Sequence, residues 1–264
     1  MQPIGAAAAL GLGWALFEAQ WVELKEIEVP LERLPRELDG LTILHLSDFH
    51  LGTVSLNGRT LERAIAWAET DESDLDLVLL TGDLLSRERA EVRLRRAVAR
   101  LRARHGVYAV LGNHDVGAAR RAFGAGLLED SSVVIDIRGK RVQLVGGHPR
   151  MDWKHRALER LADPAADLRI LLFHYPDVTQ WLPPASYDLV LAGHLHGGQI
   201  CLPTPRGKLR LEHLQARHWE GLHQTPAGAL HVSRGLGTSF VPFRFLARPE
   251  ATKLVLRCHI DSTP

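Results

Sequence analysis

Residues 41–52 read LTILHLSDFHLG, a short apolar run that ends in an aspartate and a histidine. Such a run, Leu41–Ser47, is typical of a buried strand. Two more runs of this kind, Leu75–Thr81 and Val107–Leu111, follow along the chain, and a stretch of helical periodicity precedes each of them. Strand and helix alternating at this spacing predict parallel βαβ units in an α/β protein.

The rest of the chain extends this pattern and then departs from it. Helices are predicted at Thr60–Glu69, Glu88–Arg104 and Gly117–Leu128, whereas residues 18–40 are expected to form an extended connector. A hairpin follows, and little helix is expected after Leu161. The hairpin strands are predicted at Val133–Ile137 and Arg141–Val145, and later strands at Leu168–Phe173, Asp188–Ala192, Ala229–Ser233 and Thr252–Arg257. We therefore expect one mixed α/β domain over residues 21–264.

Composition limits the classes of protein to consider. The chain of 264 residues is 45% hydrophobic and 24% charged, which excludes wholesale disorder, collagen and a polytopic membrane protein. Its net charge of +1 gives no general attraction to nucleic acid, so no nucleic-acid partner is expected. Two cysteines cannot build a disulfide framework or a cysteine-rich zinc site. The 14 histidines outnumber what packing requires, so imidazole chemistry is where a function is to be sought.

Residues 1–20 form a hydrophobic N-terminal segment. No charged side chain occurs from Met1 to Phe17. A spanning helix needs about 20 apolar residues, and this run is shorter and interrupted by glycines. A secretory signal requires a basic start, yet no Lys or Arg precedes Lys25. A membrane anchor or interfacial helix is the favoured interpretation, with a packed terminal helix and a cleaved signal as the alternatives.

Polar motifs stand where predicted strands end. Ligands of open α/β sheets bind beyond the carboxyl ends of the strands, so all of these motifs are expected at one edge of one sheet. Each is weak evidence alone, but the ordered set is strong. The motifs are Asp48-Phe49-His50, Gly82-Asp83, Gly112-Asn113-His114-Asp115, His174 and Gly193-His194-Leu195-His196.

The residue types in these motifs fit a metal site. Carboxylate, imidazole and amide oxygen are borderline-to-hard ligands, which suit Mn, Fe or Zn more than Mg or Ca. Side chains two positions apart on a strand face the same side, so the Asp-x-His and His-x-His pairs can converge. Two ions need a bridging oxygen, which one carboxylate supplies. The candidate ligands for two divalent ions are Asp48, His50, Asp83, Asn113, His174, His194 and His196.

The order of these motifs resembles the calcineurin-like metallophosphoesterase superfamily. Three flanking stretches, residues 47–52, 196–200 and 234–239, are similar to its membrane-associated bacterial phosphodiesterases, a branch that includes one type of UDP-2,3-diacylglucosamine hydrolase. Members of that branch often carry a hydrophobic segment before the catalytic domain. The resemblance implies an α/β fold in which two mixed β-sheets pack as a sandwich flanked by helices.

The resemblance also implies roles for the motif residues. Asp48, His50 and His196 would hold the first metal, and Asn113, His174 and His194 the second, with Asp83 as the bridge. His114 would be the general acid or transition-state stabiliser, and Asp115 would orient its ring. A metal-bridging hydroxide would attack phosphorus in line. The substrate would contain a phosphodiester or pyrophosphate bond, with a lipid-linked compound such as UDP-2,3-diacylglucosamine as one candidate.

Other functions on the same fold remain as alternatives. They are a nuclease, a phosphomonoesterase and a binding scaffold without chemistry. The chain departs from protein Ser/Thr phosphatases and purple acid phosphatases around Ser86, and from the other type of diacylglucosamine pyrophosphatase at His114, where that type has Arg. These departures favour the phosphodiesterase branch.

Two further segments have alternative interpretations. The arginine-rich helix Arg87–Arg104 is favoured as a solvated surface helix, with contact to anionic lipid as the alternative. The segment Phe240–Leu246 is favoured as inter-sheet packing, with an acyl-chain groove as the alternative. Together with residues 1–20, these segments make a membrane surface a plausible partner and give a membrane-associated location, the cytoplasmic face being slightly favoured. His148 and His231 are expected near the pocket.

Overall fold

Thirteen strands and five α-helices make up the part of the chain that the structure, a computed structural model, describes: residues 2–70, 75–149, 155–205 and 207–258. The strands are β1 (Glu23–Leu31), β2 (Thr42–Leu46), β3 (Leu77–Thr81), β4 (Val107–Val110), β5 (Ser131–Ile137), β6 (Lys140–Gly146), β7 (Leu168–Leu172), β8 (Leu189–Ala192), β9 (Cys201–Thr204), β10 (Gly207–Arg210), β11 (Gly221–Thr225), β12 (Gly228–Val232) and β13 (Glu250–Cys258). The helices are α1 (Gln2–Glu18), α2 (Asn57–Thr70), α3 (Glu91–Arg100), α4 (Arg120–Phe123) and α5 (His155–Leu161).

Two large mixed sheets organise the fold. The first has the order β1-β13-β2-β3-β4, in which only the β13–β2 pair is antiparallel. The second has the order β11-β12-β8-β7-β6-β5, with antiparallel pairs at its two edges and parallel strands between them. Strands β9 and β10 form a separate hairpin. The predicted α/β fold class with two mixed sheets is confirmed.

Three hydrophobic clusters show how the layers pack. One contains side chains of both sheets, such as Ile43 and Leu79 from the first and Leu144 and Ile170 from the second, so it is the core between the sheets. Another joins the first sheet to α2 and α3, and a third covers the outer face of the second sheet. Because parallel strands are buried on both faces, their sequences are continuous apolar runs rather than alternating ones.

The structure differs from the sequence predictions at several elements. The predicted helix Gly117–Leu128 has a single α-helical turn, since Gly124 takes a left-handed φ of 53° and ends it. Residues 18–40 contain β1, which pairs in parallel with β13, so this stretch is part of the first sheet and not a connector. The predicted helix Glu88–Arg104 is α-helical only over α3. Strands β9, β10 and β11 were not predicted.

The N-terminal helix α1 contacts the domain through its last turn. Glu18 is buried, and its carboxylate accepts the Ala247 N–H at 2.7 Å and the Trp14 indole N–H at 3.0 Å. The Arg244 N–H donates to the Ala15 carbonyl at 3.1 Å. Before and within this turn, Leu10, Leu12, Trp14, Leu16 and Phe17 are exposed. Within the described residues, the helices fall short of the length and apolar character that crossing a membrane requires.

Candidate metal centre

The predicted ligands follow parallel strands of both sheets, and not the strands of one sheet as was expected. Asp48 follows β2, Asp83 follows β3, and His174 follows β7. His194 and His196 follow β8. Six of the seven candidate ligands fall into two groups of three. Within each group, the ligand atoms all lie within 4.8 Å of one another. Asn113, the seventh, lies after β4 with an exposed side chain, and its role as a ligand stays a prediction.

The first group consists of Asp48, His50 and His196, all buried. The Nε2 atom of His196 lies 3.3 Å from Asp48 Oδ1 and 3.1 Å from His50 Nε2. The other carboxylate oxygen of Asp48 accepts the Ser47 hydroxyl at 2.5 Å and the His194 N–H at 3.1 Å. Only one oxygen of Asp48 is therefore directed at the imidazoles.

The second group consists of Asp83, His174 and His194. One oxygen of Asp83, Oδ2, lies 3.4 Å from His174 Nε2 in its own group and 3.5 Å from His50 Nε2 in the first group. The other oxygen accepts the His114 N–H at 2.8 Å. A single carboxylate oxygen thus faces both groups, which is the position that a bridging ligand requires.

Two buried polar atoms in these groups lack hydrogen-bond partners. They are Asp48 Oδ1 and His174 Nε2, which lie 3.3 Å from His196 Nε2 and 3.4 Å from Asp83 Oδ2 without the orientation of a hydrogen bond. Leaving a buried carboxylate oxygen and a ring nitrogen unsatisfied is costly, and such atoms call for an explanation such as an ion. Each atom belongs to one of the two groups, so one divalent cation in each group would satisfy both. The residues present therefore fit two divalent metal ions, and the nitrogen and oxygen donors suit Mn, Fe or Zn.

Backbone strain is concentrated at the same residues. Asp48, His50, Asp83, His194 and His196 have φ values of 54°, 45°, 54°, 74° and 49°. Left-handed φ is uncommon outside glycine and costs free energy that the surrounding structure must offset. Gly193 shows how tight the surroundings are, because a Cβ atom there would lie 2.0 Å from Ser47 Oγ. These strands end in strained turns that direct side chains at one point.

Burial sets the charge state of two histidines. It lowers the pKa of His50 to about 3, with a further contribution from the neighbouring His196. It likewise lowers the pKa of His194 to about 3, and His174 adds to the effect. Both rings are therefore neutral at pH 7, the form in which imidazole binds a metal.

His174 is shifted in the opposite direction. Burial alone would lower its pKa, but the Asp83 carboxylate outweighs burial and raises the pKa to about 9. Burial likewise opposes the charge of Asp83, yet His174 lowers the pKa of this carboxyl to about 2. Without a cation the two side chains form a buried ion pair, so a metal at this group takes the place of a proton.

The charge state of His174 gives a pH prediction. Metal binding at the second group must displace the proton that His174 holds below about pH 9, whereas His50 and His194 have none to release at pH 7. We expect calorimetric titration of metal-free protein with Mn²⁺ at pH 7, in buffers of different protonation enthalpy, to show release of about one proton per protein. Affinity should rise with pH and level off near pH 9. Proton release of zero would contradict this assignment.

Side chains and carbonyls behind the ligands fix the orientation of two rings. His174 Nδ1 donates to the Thr81 carbonyl at 2.7 Å, which leaves its Nε2 for a metal once the proton is lost. His50 Nδ1 lies 2.9 Å from the Ser86 hydroxyl. Ser86 is the position at which the sequence departs from protein Ser/Thr phosphatases and purple acid phosphatases. Here its hydroxyl contacts the candidate ligand His50.

Comparisons with known proteins agree with this geometry. The sequence pattern of the calcineurin-like phosphoesterase family matches residues 41–198, which include both groups. The chain belongs to this family. Curated proteins that are similar to the phosphoesterase include the uncharacterized metallophosphoesterase YkuE of Bacillus subtilis, which is 31% identical over 96% of this chain and 93% of YkuE. A transmembrane protein with a metallophosphoesterase domain from Bos taurus is 31% identical over 90% of this chain and 58% of that protein. The phosphodiesterase YaeI of Escherichia coli is 30% identical over 54% of this chain and 52% of YaeI. The predicted class, a phosphoester hydrolase, is confirmed.

His114 stands at the mouth of the phosphoesterase site. Its side chain is exposed, and its ring packs edge-on at 5.5 Å from the His50 ring and 5.8 Å from the Phe240 ring. Its predicted role as general acid or transition-state stabiliser stays a prediction. Phe240 is 87% exposed, so the segment Phe240–Leu246 does not form the inter-sheet packing that was favoured.

Asp115 acts on the backbone in place of the predicted contact with the His114 ring. Its Oδ1 accepts the N–H groups of Leu84 and Leu85 at 2.8 and 2.7 Å, and its Oδ2 accepts that of Gly112 at 2.8 Å. Burial and the nearby Asp83 raise the pKa of this carboxyl to about 7, against the effect of the backbone donors. Asp115 therefore ties the loop after β3 to the loop after β4.

The sequence analysis missed the residues that surround His194. Its ring lies 4.5 Å from the Tyr175 ring and 4.9 Å from the His213 ring, and Trp219 packs on His213 at 6.5 Å. Tyr175 comes just after the predicted strand Leu168–Phe173, but His213 and Trp219 follow no apolar run that would mark a strand end. His231, expected near the pocket, is instead buried at the sheet interface, where its Nδ1 lies 2.8 Å from His45 Nδ1. His148 donates its N–H to Asp130 at the end of β6.

Arg244 was also missed and lies directly behind the first group. It is fully buried, and its guanidinium donates to the carbonyls of Gly237 at 3.0 Å, Ala247 at 2.9 Å and Arg234 at 2.8 Å. It also lies 3.3 Å from the His196 carbonyl and 3.1 Å from His196 Nδ1. Burial, and then the charge of Arg234, lowers the pKa of Arg244 to about 9. This side chain supports the ligand His196 from its far side.

Proposed function

We propose that this phosphoesterase hydrolyses a phosphodiester or pyrophosphate bond in a substrate that carries a lipid group, with UDP-2,3-diacylglucosamine as the candidate. The observation that carries the proposal is the shared oxygen of Asp83, which faces two groups of metal ligands at once. The name of the phosphodiesterase YaeI supports the bond type.

The residues have the following roles in the proposed reaction. Asp48, His50 and His196 would hold one divalent ion, and Asn113, His174 and His194 the other, with Asp83 shared between the two sets. The two ions supply Lewis acidity toward water and the phosphoryl group. His114 donates a proton to the leaving oxygen or stabilises its charge. Asp115 positions the loop that carries Asn113 and His114.

The walls of the site favour a diester over a monoester. Phe240 lies beside His114, and Tyr175 and His213 lie beside His194. Aromatic side chains pack well against an organic ester group, whereas a phosphate dianion is recognised best by guanidinium and ammonium groups. Arg244, the guanidinium beside His196, is directed at backbone carbonyls.

A membrane-surface location accompanies the proposed substrate. The exposed apolar side chains of α1, together with Trp21, form an apolar patch on the domain surface, and an interfacial helix of this kind inserts such a patch among headgroups. The Bos taurus relative is named a transmembrane protein. We place the protein on the membrane, on its cytoplasmic face.

The bond type is tested with artificial esters. Protein reconstituted with Mn²⁺ is expected to hydrolyse bis-p-nitrophenyl phosphate with a kcat/KM at least about tenfold above that for p-nitrophenyl phosphate. UDP-2,3-diacylglucosamine and the same compound without acyl chains then test the lipid group. Preference for the monoester would overturn the diester assignment, and equal turnover of the two UDP compounds would overturn the lipid assignment.

A further inference from the structure

Four arginines surround a groove between α2 and α3, which we call the arginine groove. They are Arg59 and Arg63 on α2, Arg93 on α3 and Arg89 just before α3. Two adjoining cavities of about 350 and 510 Å³ share Ser55, Gly58 and Arg93 in their walls. The loop on one side of this groove begins at Leu51, directly after the candidate ligand His50.

These arginines lack the carboxylate partners that neighbouring arginines have. Arg100, further along α3, binds Glu62 at 2.6 Å and Glu69 at 2.8 Å, and Arg121 binds Glu91 at 2.6 Å. Within the described ranges, Arg59, Arg63, Arg89 and Arg93 make no ion pair, and three of them donate only to neutral oxygens. Since Glu62 is held by Arg100, the groove carries a net positive charge.

Arg93 is held where a bound anion would stabilise it. Its guanidinium lies against Gly58, so closely that a Cβ atom there would be 2.6 Å from Nη1. Gly58 is in the first turn of α2, where backbone N–H groups give a partial positive charge. Two positive groups in contact repel each other, and an anion between the arginines offsets both.

The groove is continuous with the apolar patch of the N-terminal helix. Arg59 and Arg63 both donate to Gln20, the Oε1 atom and the backbone carbonyl respectively. The next residue, Trp21, packs on Phe17 at 5.7 Å and on Trp14 at 6.2 Å. A bilayer surface offers an apolar layer and anionic groups side by side, and a soluble anion offers only the charge.

We propose that the arginine groove binds the phosphate of an anionic lipid headgroup while the apolar patch of α1 inserts beside it. This inference rests on the membrane-surface location proposed above and not on the hydrolytic reaction. Bound there, the headgroup would hold the edge of the site that carries His50 against the membrane surface.

Vesicle binding tests the proposal. The full chain is sedimented with vesicles of phosphatidylcholine alone and of phosphatidylcholine mixed equally with phosphatidylglycerol. We expect the double variant Arg59→Gln, Arg93→Gln to lose about thirtyfold in affinity for the mixed vesicles, since each arginine near an anionic surface contributes about fivefold. The control Arg141→Gln, Arg257→Gln removes the same charge from ion-paired arginines at the opposite end of the sheets and should lose less than about twofold.

Each outcome separates the inference from the proposed function. An equal loss of vesicle affinity in the two double variants, or no loss in the groove variant, would overturn only the proposal that the arginine groove binds a headgroup. Wild-type protein that binds neither vesicle would overturn the membrane location as well. Displacement from vesicles by inorganic phosphate at constant ionic strength would overturn the headgroup assignment in favour of a soluble anion. Hydrolysis of bis-p-nitrophenyl phosphate by the groove variant should stay at the wild-type level, which keeps the reaction a separate question.

Discussion

Asp83→Asn should lower kcat/KM for bis-p-nitrophenyl phosphate at least about a thousandfold. In the wild type, Oδ2 of Asp83 faces both ligand groups, and no other carboxylate oxygen of the two groups lies this close to both. Asparagine keeps an oxygen to accept the His114 N–H, so the loop after β4 should hold its place. The loss is therefore expected in the metal centre and not in the fold.

Two further measurements and a control variant make the test specific. Metal content by mass spectrometry should fall from two ions per chain to one or none. The pKa of His174, followed by NMR in metal-free protein, should fall well below its raised value of about 9, because Asp83 is the charge that raises it. The control Asp177→Asn changes an exposed carboxylate, three residues after His174 in sequence, that accepts a hydrogen bond from Gln180. It should leave kcat/KM, the metal content and the pKa of His174 unchanged. Activity within about tenfold of wild type, with two ions retained, would refute the bridging role.

The convergence of the ligands was predictable because each follows an apolar run. Leu41–Ser47 and Leu168–Phe173 are recognisable as buried strands from composition alone. A residue directly after such a strand must lie at the carboxyl end of that strand. Parallel pairing brings Asp48 and Asp83 to one edge of the first sheet, and His174 and His194 to one edge of the second. Local pattern and this rule predict each half of the site, whereas the packing of the two sheets that joins the halves was implied only by the family resemblance.

The remaining parts depend on contacts between segments that are distant in sequence. β1 belongs to the first sheet only because it pairs with β13, more than 200 residues later, and nothing in its own alternating pattern identifies that partner. Asp115 is adjacent to His114 in sequence and was expected to bind its ring. Its oxygens instead accept three backbone N–H groups from two loops. Neighbourhood in sequence was a poor guide to hydrogen bonding here.

Arg244 illustrates the same limit most clearly. In sequence it is one polar residue within an aromatic segment, with no periodicity to show which way it points. Its burial arises because three loops, around His196, Gly237 and Ala247, present carbonyls to one point. A buried guanidinium is tolerated only when its donors are satisfied in this way. The number of contacts argues that Arg244 links these loops mechanically.

That link reaches both a metal ligand and the N-terminal helix. The loop that Arg244 binds through Gly237 also donates to the Asp48 carbonyl from the Gly237 N–H. On the other side, the Arg244 and Ala247 N–H groups bind the last turn of α1. Docking of α1 and placement of Asp48 and His196 therefore share one residue, Arg244, through its backbone N–H and its guanidinium respectively.

Arg244→Met should destabilise the fold by about 4 kcal/mol and weaken metal binding about tenfold, because several buried carbonyls lose their donor at once. Thermal unfolding in EDTA measures the first effect, and the added stability on saturation with Mn²⁺ measures the second. Arg244→Lys keeps the charge but has fewer hydrogen-bond donors. Its stability and its Mn²⁺ affinity should lie between those of the wild type and of Arg244→Met. Arg248→Met removes an arginine from the same segment that packs on Trp21, and it should leave Mn²⁺ binding unchanged. If Arg244→Met lowered stability but bound Mn²⁺ as tightly as wild type, Arg244 would support the fold without positioning His196.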